Sequence, residues 1–229
     1  PKDIIQIKSD AWAKLWQAED QSQTTHNKII WNEARNNETK HTSEPYTEEQ
    51  VLKAIQQFPN KTSLGTDQID KQFLINMPRQ GLVDFARIIN FAMTNITLPH
   101  AATYSIIFLL GKPKGGERPI GLMSTTYRSI GRLSKPSQKA WCKNCGAFWD
   151  TAIEGSSALQ AAIRRMILDE IARQQGNTIA SMFWDFEEFY DHIKAMALIS
   201  KASKLGYPMR ILLFGISSSR AETYTSKWL

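Results

Sequence analysis

The sequence predicts an α+β fold in which helices pack on a small antiparallel sheet, and three observations lead there. The apolar run at 106–110 is separated by Gly115-Gly116 from a second strand-like segment, as in a hairpin closed by a tight glycine turn. Amphipathic helical patterns recur on both sides of it. A further run at 177–184, β-branched, aromatic and nearly uncharged, reads as a buried strand. With 229 residues, 42% of them hydrophobic, the chain can bury a sizeable core.

Taken in order, residues 1–45 read as a helical arm and linker. Trp12, Leu15 and Trp16 share a helix-like face, a polar stretch follows, and Ile29, Ile30 and Trp31 form a second apolar anchor before the charged segment at 36–44. This part is expected to dock rather than to form core. Residues 46–208 carry the main body. Thr47 with Gln50 makes a capping-box pattern, which starts a helix with Val51, Leu52, Ile55 and Phe58 on one side. Residues 80–95 form a second amphipathic helix through Leu82, Val83, Phe85, Ala86, Ile89 and Met93. After the hairpin, Ser156 or Ser157 caps a helix over 158–174, with Leu159, Ile163, Met166, Ile167 and Ile171 as its expected buried stripe. The expected strand then ends at Asp185. A last helix over 192–205 turns Ile193, Met196, Ala197, Ile199 and Leu205 to one side and stops at Gly206. Residues 209–229 read as a tail, apolar and helix-like at first and then polar. There is no internal repeat.

Two groups of residues carry candidate chemistry. Asp185 ends an apolar run, where a carboxylate is costly to desolvate unless something positive meets it, so metal ligand and solvated strand end both stay open. Asp191 precedes a helical pattern and reads first as an N-cap. Upstream, the hairpin gathers Lys112, Lys114 and Arg118, point charges and a fixed guanidinium fork of the kind that holds phosphates. A charged, soluble hairpin tip is the competing account.

Charge agrees with a polyanionic partner. Twenty-eight Lys and Arg stand against 22 Asp and Glu, a net +6. From Lys112 to Lys143 the basic residues include Arg128, Arg132, Lys135 and Lys139, with Glu117 the only acid. Tyr127, Trp141, Phe148 and Trp149 lie in or beside this stretch, where bases could stack, although core packing is the commoner fate of such rings. Cys142 and Cys145 are half of a zinc site, and the four histidines show no matching spacing. Without a disulfide framework, a signal-like leader or an apolar run of membrane length, an intracellular location is expected, nucleus and organelle included. A start at Pro1 suggests a chain cut from something longer.

These pieces, in this order, resemble the reverse transcriptases of non-LTR (LINE-like) retroelements and group II introns. The segments at 47–55 and 59–69 are similar to the family's N-terminal helix and its Lys-x-x-Gly-x-Asp-x-Ile turn, here Lys61, Gly65, Asp67 and Ile69 with one residue more between the lysine and the glycine. Residues 112–122 resemble the fingers motif that ends in Arg-Pro-Ile-x-Leu, and Thr126, Tyr127, Arg128, Ser129 and Ile130 the basic segment after it. Gly155-Ser156-Ser157 looks like a Gly-x-Ser helix start, and Asp185 to Asp191 like the first palm motif.

The resemblance implies the fingers subdomain and an incomplete palm of a right-hand polymerase, an RNA-directed DNA polymerase by family. Asp185 would ligate two catalytic Mg²⁺ ions, with the main-chain carbonyl of Phe186 beside it and Tyr190 as steric gate against a 2′-hydroxyl. Lys112, Lys114 and Arg118 would brace the nucleotide's phosphates, and Arg128 and Arg132 the nucleic-acid backbone. Template–primer and dNTP would be the partners. The family's paired aspartates do not appear, for the only acid beyond Asp191 is Glu222. Two dications held roughly 3.5–4 Å apart need several carboxylates. This chain alone is therefore expected not to polymerise, and a partner protein or further palm sequence is expected to cover it. Glu188 stands where the family commonly has lysine, and residues 149–154 replace its Gln-containing stretch. The alternative implied is a non-catalytic remnant, kept as a nucleic-acid-binding or structural subunit.

Overall fold

The core of the larger part draws on helices far apart in sequence, one of them from the segment expected to be a tail. The computed structural model describes residues 25–40, 44–113, 115–146, 155–180 and 193–220, with 7, 10 and 150 as isolated positions. Its elements are α1 (Thr25–Lys40), α2 (Glu48–Gln56), α3 (Lys71–Ile75), α4 (Arg79–Asn95), α5 (His100–Thr103), β1 (Ser105–Gly111), β2 (Glu117–Met123), α6 (Thr125–Cys145), α7 (Ala158–Gln174), α8 (Ala195–Lys204) and α9 (Met209–Arg220). Helices thus accompany a small antiparallel sheet, an α+β arrangement in that plain sense. Contacts divide the chain into two units, Pro1–Lys135 with Lys194–Leu229, and Pro136–Ile193.

In the first unit local signals act as expected. Thr47 starts α2: its Oγ1 accepts from the Gln50 amide at 3.3 Å, and Gln50 Oε1 accepts from the Thr47 amide at 3.0 Å. This reciprocal cap satisfies two amides that the first turn would otherwise leave without partners. Val51, Ile55 and Phe58 are buried against Leu82, Phe85, Ala86, Ile89 and Met93 of α4. The helix ends at Ile96, whose φ of 51° is unusual for a β-branched residue. Its side chain is 1% exposed, and the Thr97 amide closes on the Ala92 carbonyl at 3.0 Å, so burial and helix closure hold the strained backbone.

Around this pair lie the segments read as arm and tail. In α1, Ile30, Trp31 and Ala34 pack against the core, and Arg35 Nη2 donates to the Asn95 carbonyl at 3.0 Å. Leu213, Phe214 and Ile216 of α9 are buried outright, so the apolar head of the expected tail is core. Arg210, itself 9% exposed, donates to the Glu38 carbonyl, which ties α9 to α1. The helical face expected at 192–205 forms only in part. The helix starts at Ala195 with Lys194 at the N-cap, and Asp191, the expected cap, lies outside the described residues. Ile199 is buried, whereas Ala197 and Leu205 are exposed. Gly206, at φ 63°, ends it as expected, with the Tyr207 amide closing on Ala202 at 2.9 Å.

The second unit departs most from expectation. Ser157 caps α7 through the Gln160 amide at 3.1 Å, and the bounds match the sequence reading. The expected buried stripe, however, is exposed: Leu159 by 69%, Met166 by 64%, and Ile163, Ile167 and Ile171 with them. The strand expected from 177 does not begin there, for residues 177–180 have no strand pairing and are exposed. The reason is local. Gly176, at φ 73°, closes α7, and the Asn177 amide is spent on the Ala172 carbonyl at 2.9 Å rather than offered to a ladder. Among the described residues no helix is long and apolar enough to cross a membrane.

Candidate nucleic-acid interface

The hairpin forms because two apolar, β-branched segments meet a turn that only glycine suits. β1 and β2 pair antiparallel with Gly111 opposite Glu117 and Ser105 opposite Met123. The Lys112 amide donates to the Gly116 carbonyl at 2.9 Å and the Gly115 amide to the Lys112 carbonyl at 3.0 Å. Gly115 and Gly116 sit at φ 88° and 82°, values that a side chain would strain.

Register decides which side chains share a surface. Arg118 stands opposite Leu110, Ile120 opposite Phe108 and Leu122 opposite Ile106, so these six lie on one face. Phe108, Leu110 and Ile120 are exposed there by 42%, 52% and 38%, and Lys112 and Arg118 are exposed at the turn end. Glu117, one residue before Arg118, falls on the opposite face. The result is an apolar ribbon surface with an aromatic ring and cations at its tip, chemistry suited to stacked bases and phosphates.

The loop at 65–69 anchors this ribbon. A Cβ on Gly65 would lie 2.3 Å from the Met123 carbonyl oxygen, so the backbones meet at a distance that admits no side chain. Thr66 Oγ1 donates to the Tyr104 carbonyl at 2.8 Å, just before β1. Asp67 Oδ2 accepts from the Thr126 amide at 3.1 Å, and Thr125 Oγ1 donates to the Ile69 carbonyl at 2.7 Å. Ser124 Oγ, fully buried, donates to the Ala102 carbonyl at 3.0 Å. One short loop therefore fixes the start of β1, the end of β2 and the N-terminus of α6.

Arg128 and Arg132 follow on α6, one turn apart. The Arg132 guanidinium lies 4.5 Å from the centroid of the Phe58 ring and that of Arg128 5.7 Å away, so one aromatic ring serves both cations. Arg128 Nη2 also donates to Thr125 Oγ1 at 3.0 Å, while its buried Nε has no hydrogen-bond partner. Burial pulls the Arg128 guanidinium below the usual arginine range; Asp67 opposes that pull and Arg132 adds to it. These two arginines are half-buried and already engaged with protein groups, whereas Lys112 and Arg118 are exposed.

The structure brings Lys112 and Arg118 to one end of the hairpin and Arg128 and Arg132 to one face of α6. Lys114, Asp185, Phe186 and Tyr190 lie outside the described residues. Phe58, Gly65 and Asp67 are the members that sequence reasoning left without a role. The Gly-x-Asp spacing was a signal for the last two, but nothing local to Phe58 marks it. Among the described residues no group of three or more His, Cys, Asp or Glu is placed to hold a metal ion. Asp185, the expected Mg²⁺ ligand, and the acids Glu187, Glu188 and Asp191 beside it lie outside the described residues. Comparison with protein-family models gives no match, and comparison with curated proteins finds no relative.

Proposed function

We propose that this chain is a reverse transcriptase-like protein of the non-LTR retroelement and group II intron type, supplying fingers and the first part of a palm. Its own contribution is to bind a nucleic-acid backbone through the tip and apolar face of the β1–β2 hairpin. One observation carries the reading. The Gly-x-Asp-x-Ile segment by which the sequence resembles the family is the loop that ties the hairpin root to α6. A motif that held no structure would have no reason to sit at that junction.

Lys112 and Arg118 would neutralise phosphates, and Phe108 would offer a ring to a base. Arg128 and Arg132 would support the same surface by fixing α6 against Phe58, with direct phosphate contact secondary. Polymerisation by this chain alone is not part of the proposal, since a two-metal centre asks for several carboxylates around Asp185. The second reading is a non-catalytic nucleic-acid-binding or structural subunit, which would use the same hairpin surface. The exposed stripe of α7 supports the expectation that further palm structure or a partner protein covers that unit.

Primer extension on an RNA template with Mg²⁺, run beside a binding assay for the same template–primer, tests both readings. Binding without extension is expected. Extension by this chain would overturn the inactive assignment, and absence of binding would remove the nucleic-acid role.

A further inference from the structure

We propose that Cys142 and Cys145 form a two-coordinate site for a soft monovalent cation of the Cu(I) type. The two residues lie three apart in the last turns of α6, a spacing that brings side chains to one face of a helix. Both are thiols, Cys142 half-buried and Cys145 exposed. The Gly146 amide closes on the Cys142 carbonyl at 2.8 Å, so the turn that carries the pair is itself hydrogen-bonded.

Reach separates the chemistries open to such a pair. Neighbouring Cβ atoms on a regular helix are roughly 5–6 Å apart, whereas a disulfide needs them at about 3.5–4.5 Å. Oxidation would have to deform a closed turn. A metal between two sulfurs, with bonds of roughly 2.3 Å each, spans the wider gap without that deformation. Soft thiolate ligands favour Cu(I), zinc and iron–sulfur clusters over hard cations, and of these Cu(I) is the one that two sulfurs alone can satisfy. Zinc instead asks for four ligands, and no third His, Cys, Asp or Glu joins the pair among the described residues.

Charge suits the product. Each thiol releases its proton to solvent, two sulfur–copper bonds form, and no electron is transferred. The bis-thiolate complex carries a net single negative charge. Lys139 and Lys143 lie on the same turns, and residues 118–146 include no Asp or Glu, so the segment is positive where the complex is negative.

The test titrates the full chain with Cu(I) under anaerobic, reducing conditions against bicinchoninate, whose copper complex is coloured. The expected result is withdrawal of one copper per chain, with two sulfur neighbours by X-ray absorption. Cys142→Ser and Cys145→Ser should each lose that equivalent with unchanged circular dichroism. Cys145 is exposed, so that variant keeps the test independent of folding. No withdrawal, copper held by either serine variant, one copper shared by two chains, or three or more sulfur neighbours would overturn the proposal.

Discussion

Asp67 closes the N-terminus of α6 from 59 residues away, its Oδ2 accepting from the Thr126 amide at 3.1 Å and from Thr126 Oγ1 at 3.4 Å. No residue adjacent to α6 in sequence could have revealed this cap. It makes the hairpin's exit depend on a loop laid down between α2 and α3, and so couples the hairpin to the core.

Replacing Asp67 should therefore loosen that coupling. Asp67→Ala is expected to cost about 1–2 kcal/mol of unfolding free energy, the range for a lost helix cap. Asp67→Asn retains an acceptor oxygen and should recover most of it. Urea unfolding of the three proteins measures the effect, and equal midpoints would show that the cap contributes nothing.

Gly65 makes a second demand at the same junction. In Gly65→Ala the new methyl would meet the Met123 carbonyl at 2.3 Å, a backbone atom that cannot swing aside. We expect a loss of roughly 1–3 kcal/mol, as for overpacked sites. An alanine variant as stable as the parent would mean that the close approach does not hold in solution.

Leu213 distinguishes a core helix from a tail. It is fully buried in α9, so Leu213→Ala should destabilise by about 2–5 kcal/mol. A change within a few tenths of a kcal/mol would return the segment to the periphery.

Alkaline pH probes the same packing. Tyr127 stacks on Phe214 with ring centroids 5.8 Å apart, and burial raises its hydroxyl above the ordinary tyrosine value. The folded state thus holds this proton longer than the unfolded chain does. Stability linked to it is complete below about pH 10 and is lost as pH rises through the raised folded value. Tyr127→Phe keeps the stack and removes the proton, so its unfolding midpoint should fall less steeply than the parent's above that pH. Parallel profiles would exclude Tyr127 as the titrating group.

How much was legible follows from the range of each signal. The capping box at Thr47 and Gln50, the serine cap of α7, the Gly115-Gly116 turn and the stop at Gly206 are local, and all stand where the sequence puts them. The burial of α9 depends on helices far away in sequence, and a short apolar run beside polar residues gave no hint of it. α7 shows the converse. Its apolar residues announce burial, but periodicity says nothing about whether a cover exists. The α6 helix runs through Gly131 and Pro136, two residues that argue against a helix of 21 residues, so residue preferences alone did not mark it. In the candidate interface, charge and turn chemistry identified Lys112 and Arg118, whereas Phe58 beneath Arg128 and Arg132 became visible only in three dimensions.

The most direct test of the central claim is fluorescence anisotropy of a labelled RNA–DNA template–primer titrated with this chain over a range of salt, for the parent and for Arg118→Ala. Arg118 is exposed, so its loss should leave the fold intact. The account predicts binding at low salt, log affinity that falls linearly with log salt, and a slope reduced by roughly one in the variant, as for a lost phosphate contact. Identical affinity and slope in the two proteins would contradict a phosphate-binding hairpin, and no binding at low salt would contradict the nucleic-acid assignment altogether.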